Sequence, residues 1–159
     1  MAIKESGGSV DRVRAALHAA GHPDTITVFP EGTRTAAEAA AAVGCTVAQI
    51  AKSIVFRAGG KPVLVIASGA NRVDPAKVSA ELGLDIRRAD ADWVREVTGF
   101  AIGGVAPVGH LTEPHVLLDQ DLTELNPLWA AAGSPSHVFQ TTAENLVRIS
   151  GGRLADIKA

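Results

Sequence analysis

Apolar residues recur at Val10, Val13, Leu17 and Ala20, with polar positions between them. That spacing predicts an amphipathic helix, capped by Ser9 and closed by Gly21 and Pro23. The β-branched run ITVF (26–29) then predicts a strand. Thr35, followed three residues later by Glu38, forms a capping box for an alanine-rich helix that stops at Gly44. Thr46 opens a short helical turn, VAQIA. SIVFRA (53–58) and PVLVIAS (62–68) flank Gly59-Gly60-Lys61 and predict a hairpin.

The second half continues in the same alternation. Asp74 before Pro75 predicts an N-cap and a helix over 76–82. LDIRRA (84–89) reads as a short strand. Asp90 caps a helix that ends at Gly99. HVLLD (115–119) reads as a strand, LTEL as a short helix, WAAAG as a connecting segment and SHVFQ (136–140) as a strand. Thr141 and Glu144 form a second capping box over ENLVRI. Gly151-Gly152 ends that helix, and LADI reads as an edge strand. Interleaved helices and strands with at least one tight hairpin predict a mixed α/β class. The expected form is one domain over 1–159, with a mixed, partly antiparallel sheet surrounded by helices.

Composition narrows the core and the partners. The 159 residues suffice to bury a core. Aromatics are 4% of a chain that is 47% hydrophobic, so that core is aliphatic. A net charge of −2 and a pI near 6.2 argue against a long basic groove along nucleic acid. They leave room for contact with one end of an RNA. One cysteine rules out an internal disulfide and fits a reducing compartment. With no apolar signal segment at the N-terminus and no apolar run of membrane-spanning length, the expected location is cytoplasmic.

Two features suggest chemistry. In QIAKSIVFR, strand alternation puts Lys52 on one face with Ile54 and Phe56. A lysine there can hold a phosphate, carbonyl or carboxylate. On position alone, a packed stem with a solvated head is the simpler account. The second feature is FAIGGVAPVGH (100–110), which contains Gly103-Gly104-Val105-Ala106-Pro107. Glycines let a backbone approach a ligand closely. Successive amides can then stabilise an anion. An ordinary surface turn would look the same. His110 and His115, with Pro114 between them, cannot share a helical face as metal-binding pairs do. Cys45 sits where packing is a better use than attack. Arg72, in SGANRVD, is a solvated charge unless Lys52 or Arg88 joins it around an anion.

Lys52 at a strand start, followed some fifty residues later by G-x-x-x-P, resembles the YbaK/EbsC family. These proteins are free-standing relatives of the editing domain of bacterial prolyl-tRNA synthetase. FPEGTRTAAEAAAAVGCTVAQIAKSIVF, VLVIASGANRVDPAKVSAELG, TGFAIGGVAPVGH and the segment from HVLLD to LADI all resemble it, in order. The resemblance implies a mixed sheet with surrounding helices. It implies a deacylase that acts in trans on the ester of a mischarged tRNA, with no metal or organic cofactor. The implied partners are the acceptor end of aminoacyl-tRNA and prolyl-tRNA synthetase, with neither membrane nor DNA. The implied anchor is Lys52, and the implied catalytic and substrate-gripping loop comprises Gly103, Gly104, Val105, Ala106 and Pro107. Thr141 and His137 are further candidates for the pocket. The competing reading is a non-catalytic tRNA- or synthetase-binding module of the same fold.

Overall fold

The computed structural model describes residues 3–29 and 35–159. Residues 30–34 of the first resembling segment therefore lie outside the described part. Helix α1 spans Ile3–Ala19 and is followed by β1 (Thr27–Val28), α2 (Ala36–Val43), β2 (Ile50–Ala58) and β3 (Lys61–Ser68). Then come α3 (Pro75–Leu82), β4 (Arg87–Arg88), α4 (Ala91–Thr98) and β5 (His115–Asp119). The chain closes with β6 (Leu128–Ser134), β7 (His137–Thr141), α5 (Ala143–Ser150) and β8 (Arg153–Ala155). Short 3₁₀ turns occupy Val47–Gln49 and Gln120–Glu124.

All eight strands join one mixed sheet, ordered β1-β7-β6-β2-β3-β5-β8, with β4 also paired to β2. β2 runs antiparallel to β3 from Ala51↔Ser68 to Ala58↔Lys61, so the hairpin turn is Gly59-Gly60 alone and Lys61 is already in the strand. Val63, Leu64, Val65 and Ile66 are all fully buried. Leu64 and Ile66 join the core with Val13, Leu17, Leu118 and Phe139. Val63 and Val65 pack with Phe56, Val78 and Ile157 on the other side. A strand covered on both faces explains the unbroken apolar run VLVIA.

The second edge of β2 is divided. β3 occupies one edge along almost the whole strand. The two remaining partners must therefore share the other edge: β6 at Ile50 and Ala51, and β4 at Phe56 and Arg57. Between them, residues 52–55 have no strand partner on that side. An unpaired strand edge exposes main-chain N–H and C=O groups. Here the open stretch is four residues long.

Several local expectations hold and others shift. Thr35 and Glu38 form the reciprocal capping box. Asp74 and Asp90 cap α3 and α4. Ser9 does not cap α1, which begins at Ile3; its hydroxyl instead donates to Gly133 O at 2.6 Å. The N-cap of α5 is Thr142, one residue later than expected, because β7 runs on through Thr141. WAAAG lies within β6, held by antiparallel pairing with β7. The strands expected at 26–29 and 84–89 shrink to two residues each.

Candidate active site

The open edge of β2 faces the loop that follows α4. Two adjoining cavities lie there. The first, about 200 Å³, is lined by Lys52, Ser53, Gly103, Val105, Trp129 and His137, among others. The second, about 250 Å³, is lined by Ser53, Phe56, Arg88, Ile102, Gly103 and Val105, among others. Ser53, Gly103 and Val105 belong to both and form the shared wall. Taken together, the two reach the size range of small-ligand sites, ~300–1,000 Å³.

Lys52 is half-buried, and its ammonium makes no hydrogen bond or ion pair with any described residue. No Asp or Glu is among the described residues lining either cavity. An unpaired ammonium partly withdrawn from water costs free energy unless a ligand meets it. Two more polar groups share that condition. The Ser53 hydroxyl and the Trp129 indole N–H are buried without a partner among the described residues, and both residues line the lysine cavity. Buried polar groups are nearly always satisfied, so orphans gathered at one cavity call for an explanation.

The glycine loop divides its labour. Gly103 takes φ 96°, a left-handed conformation that disfavours a side chain. Gly104 is packed so tightly that an added Cβ would lie 2.6 Å from Ser134 Cα. The Gly104 amide donates to Ala101 O at 2.9 Å and is already spent. Pro107 has no N–H. The amides of Gly103, Val105 and Ala106 have no acceptor among the described residues, and of these three Gly103 and Val105 line the cavities. Ala106 and Pro107 are buried behind them. Of the five residues in the motif, only Gly103 and Val105 both line the cavities and carry an amide without an acceptor among the described residues.

Elements far away in sequence hold this loop. Arg12 on α1 donates to Gly99 O at 2.9 Å and to Gly109 O at 2.7 Å, and its guanidinium lies 4.7 Å from the centre of the Phe100 ring. One side chain therefore ties both ends of the loop. The His110 ring meets Phe100 edge-on, and its Nε2 donates to Ala106 O at 2.6 Å. That leaves Nδ1 as a buried acceptor without a partner among the described residues. Burial pushes the His110 pKa down, favouring the neutral ring. His110 thus braces the loop from behind. Arg12→Ala is expected to speed amide hydrogen exchange across 99–110.

His137 enters the lysine cavity from the start of β7. Its Nδ1 lies 2.6 Å from Ser134 Oγ. Burial, and secondarily the charge of Arg14, lower its pKa. Thr141 lies elsewhere: it is buried, and its hydroxyl meets His22 Nε2 at 2.9 Å. It lines neither cavity. Arg72 is exposed and is likewise absent from both linings. Cys45 packs beside Ala39 and Ala40, and burial pushes its thiol pKa up, away from a reactive thiolate. Among the described residues, no three His, Cys, Asp or Glu side chains gather as metal ligands.

Comparison with known proteins places this geometry. The aminoacyl-tRNA editing domain family model matches residues 30–149. YwhH of Bacillus subtilis (strain 168), itself described as uncharacterized, is 32% identical over 126 residues, covering 79% of this chain and 80% of its own. The proline–tRNA ligase of Streptococcus equi subsp. zooepidemicus (strain H70) is 27% identical over 137 residues, 85% of this chain and 22% of the ligase. The chain thus spans about a fifth of that ligase. A solved structure of a protein proposed as a trans-editing enzyme for prolyl tRNA synthetase superposes with a TM-score of 0.90 at 43% identity. It covers 95% of this chain and 97% of its own. The hypothetical protein APE2540 superposes with a TM-score of 0.85 at 26% identity, covering 93% and 99%. The cationic cleft and its glycine loop therefore sit on a shared scaffold, and the chain belongs to the aminoacyl-tRNA editing domain family.

Proposed function

We propose that the protein is a trans-editing deacylase that hydrolyses the ester of a mischarged tRNA, without a metal ion. The proposed substrate is tRNA for proline carrying a small wrong residue such as alanine, cysteine, serine or 2-aminobutyrate. The observation that carries this reading is one small cavity shared by Lys52 with Gly103 and Val105: among the described residues, the lysine ammonium has no partner and the two amides have no acceptor. An aminoacyl ester is already activated, so it needs orientation and charge stabilisation more than a nucleophilic side chain. Lys52 holds the ester end by a charge-assisted hydrogen bond. The Gly103 and Val105 amides receive the oxyanion as water attacks. One such donor is worth about 10²–10³ in rate. Cavity size supports selection of small residues, since binding discriminates poorly between groups that both fit.

Partnership with prolyl-tRNA synthetase and a cytoplasmic location belong to the same proposal. Among the described residues, no helix is long and apolar enough to cross a membrane.

His137 gives the reaction a pH signature. Its pKa is lowered, so the ring stays neutral from pH 7 down past the ordinary histidine value of about 6.5. The rate should hold through that point and fall only in more acid solution, where a second cation forms beside Lys52. A pH–rate profile of wild type and His137→Gln checks this: the substitution should remove the acid limb.

Turnover separates an enzyme from a binding module. Substoichiometric protein should clear an excess of alanyl-tRNA for proline, with chelator present. A module that only binds would leave the ester intact, or shield it in proportion to the protein added.

A further inference from the structure

Resting on the proposed editing reaction, we propose that Asp119 and Asn71 are positioning residues for Lys52. They act through the turn at 68–71, which sets where β2 enters its open stretch. Neither is among the described residues lining the two cavities.

The need for such a device lies in Lys52 itself. Its ammonium has no partner among the described residues, so no contact at the tip fixes the side chain. Its place is set at the root, by the backbone. There β6 pairs with β2 at Ile50 and Ala51 and goes no further. Lys52 is the next residue, and β3 alone pairs with it, through Ala67. A shift of the backbone at Ile50 moves the root of the lysine stem, and with it the space the ammonium can reach.

Ile50 is also held by the turn after β3. The Gly69 amide donates to Ile50 O at 2.6 Å, and Ser68 Oγ donates to Ala48 O at 2.7 Å. The approach is close: a Cβ on Gly69 would lie 2.4 Å from Val47 O. The turn and the 3₁₀ segment Val47–Gln49 must therefore move together.

Asp119 fixes that turn. It ends β5 and is 1% exposed. Its Oδ2 accepts from Ser68 N at 3.2 Å and from Asn71 Nδ2 at 2.8 Å, and its Oδ1 accepts from Asp121 N at 3.0 Å. All three partners donate, so both oxygens must accept. Asn71 Nδ2 gives its second hydrogen to Asp121 Oδ2 at 2.9 Å. Lys158 Nζ meets the same oxygen at 2.8 Å. The contacts thus run from the C-terminal segment through Asn71 and Asp119 to Ser68, and from that turn to the strand of Lys52. Their importance should fall outward, because the Lys158–Asp121 pair is open to water and such pairs contribute little.

The test is a double-mutant cycle on the intact protein, read as kcat/KM on mischarged tRNA for proline. Asp119→Asn puts a donor where three donors converge. It should lower kcat/KM by about tenfold or more, within the roughly 10²-fold that a misplacement of about 1 Å can cost. Asn71→Ala should cost several-fold, and Lys158→Ala almost nothing. In a Lys52→Ala protein, Asn71→Ala should change the residual rate by less than about twofold, because the group it places is gone. An equal loss in both backgrounds would mean general damage and would overturn the proposal. If Asp119→Asn does not fold, Asn71→Ala decides alone. A second readout needs no substrate: in ¹⁵N spectra, Asn71→Ala should shift the amides of residues 50–53 and leave those of 103–105 in place. Shifts that stop at the turn would also overturn the proposal. If the wild type hydrolyses the ester and Asn71→Ala is equally active, the positioning role fails and the editing reading stands. If the wild type cleaves no aminoacyl-tRNA but the amides of 50–53 respond, the editing reading fails and the link from Asn71 to the strand of Lys52 stands.

Discussion

Lys52→Ala should reduce deacylation by about 10²–10³-fold, the scale set by removing a preorganised electrostatic donor, while leaving thermal stability unchanged or raised. The two halves of that expectation share one cause. Lys52 is half-buried and meets no partner among the described residues. Among the described residues its charge therefore contributes no bond that the substitution would break. Its removal relieves a partly desolvated charge. A lysine retained for packing would show the opposite, with lost stability and modest kinetic change. Lys52→Arg should not restore full activity, because a planar fork replaces a compact point charge in a cavity of about 200 Å³. Stability by thermal denaturation and kcat/KM on one batch of protein decide between the two accounts.

Gly104→Ala should damage both stability and activity through a single methyl group. The new Cβ would meet the Ser134 backbone at 2.6, 2.7 and 2.9 Å, and backbone cannot rotate away. Either the loop lifts off β6 or the end of β6 moves. Overpacking of this kind costs about 1–3 kcal/mol, several degrees of melting temperature for a domain of this size. Either movement also displaces the Gly103 and Val105 amides, so activity should fall by about 10²-fold or more. Gly103→Ala is the informative companion. Its Cβ would lie 3.8 Å from Pro135, so there is room, and the cost is confined to a backbone at φ 96°. Gly103→Ala should thus be the milder of the two in stability.

What the sequence could reveal depended on the range of the interaction. Lys52 and the loop at 103–107 were legible because each carries a local pattern, and both reach the cleft. The gap in the sheet was not. It arises from where β6 and β4 meet β2, and strand pairing between Ile50 and Trp129 leaves no local trace. WAAAG illustrates the same limit. Alanine and glycine are poor strand formers, yet partners on both sides make the segment a strand. Arg12 looked like any polar residue on a helix surface; its role exists only because Gly99 and Gly109 come to it across 87 and 97 residues. Thr141 misled for a geometric reason. Four residues along a strand is about 13 Å, which carries it beyond His137 to the buried pairing with His22.

The account stands or falls on whether this cleft breaks the ester. The direct measurement is the release of amino acid from tRNA for proline charged with alanine, cysteine, serine, 2-aminobutyrate or proline, with chelator present. The prediction is that at least one small misacylated form is hydrolysed well above its spontaneous rate, and that prolyl-tRNA is spared. Decay of every charged form at the rate seen in buffer alone would contradict it.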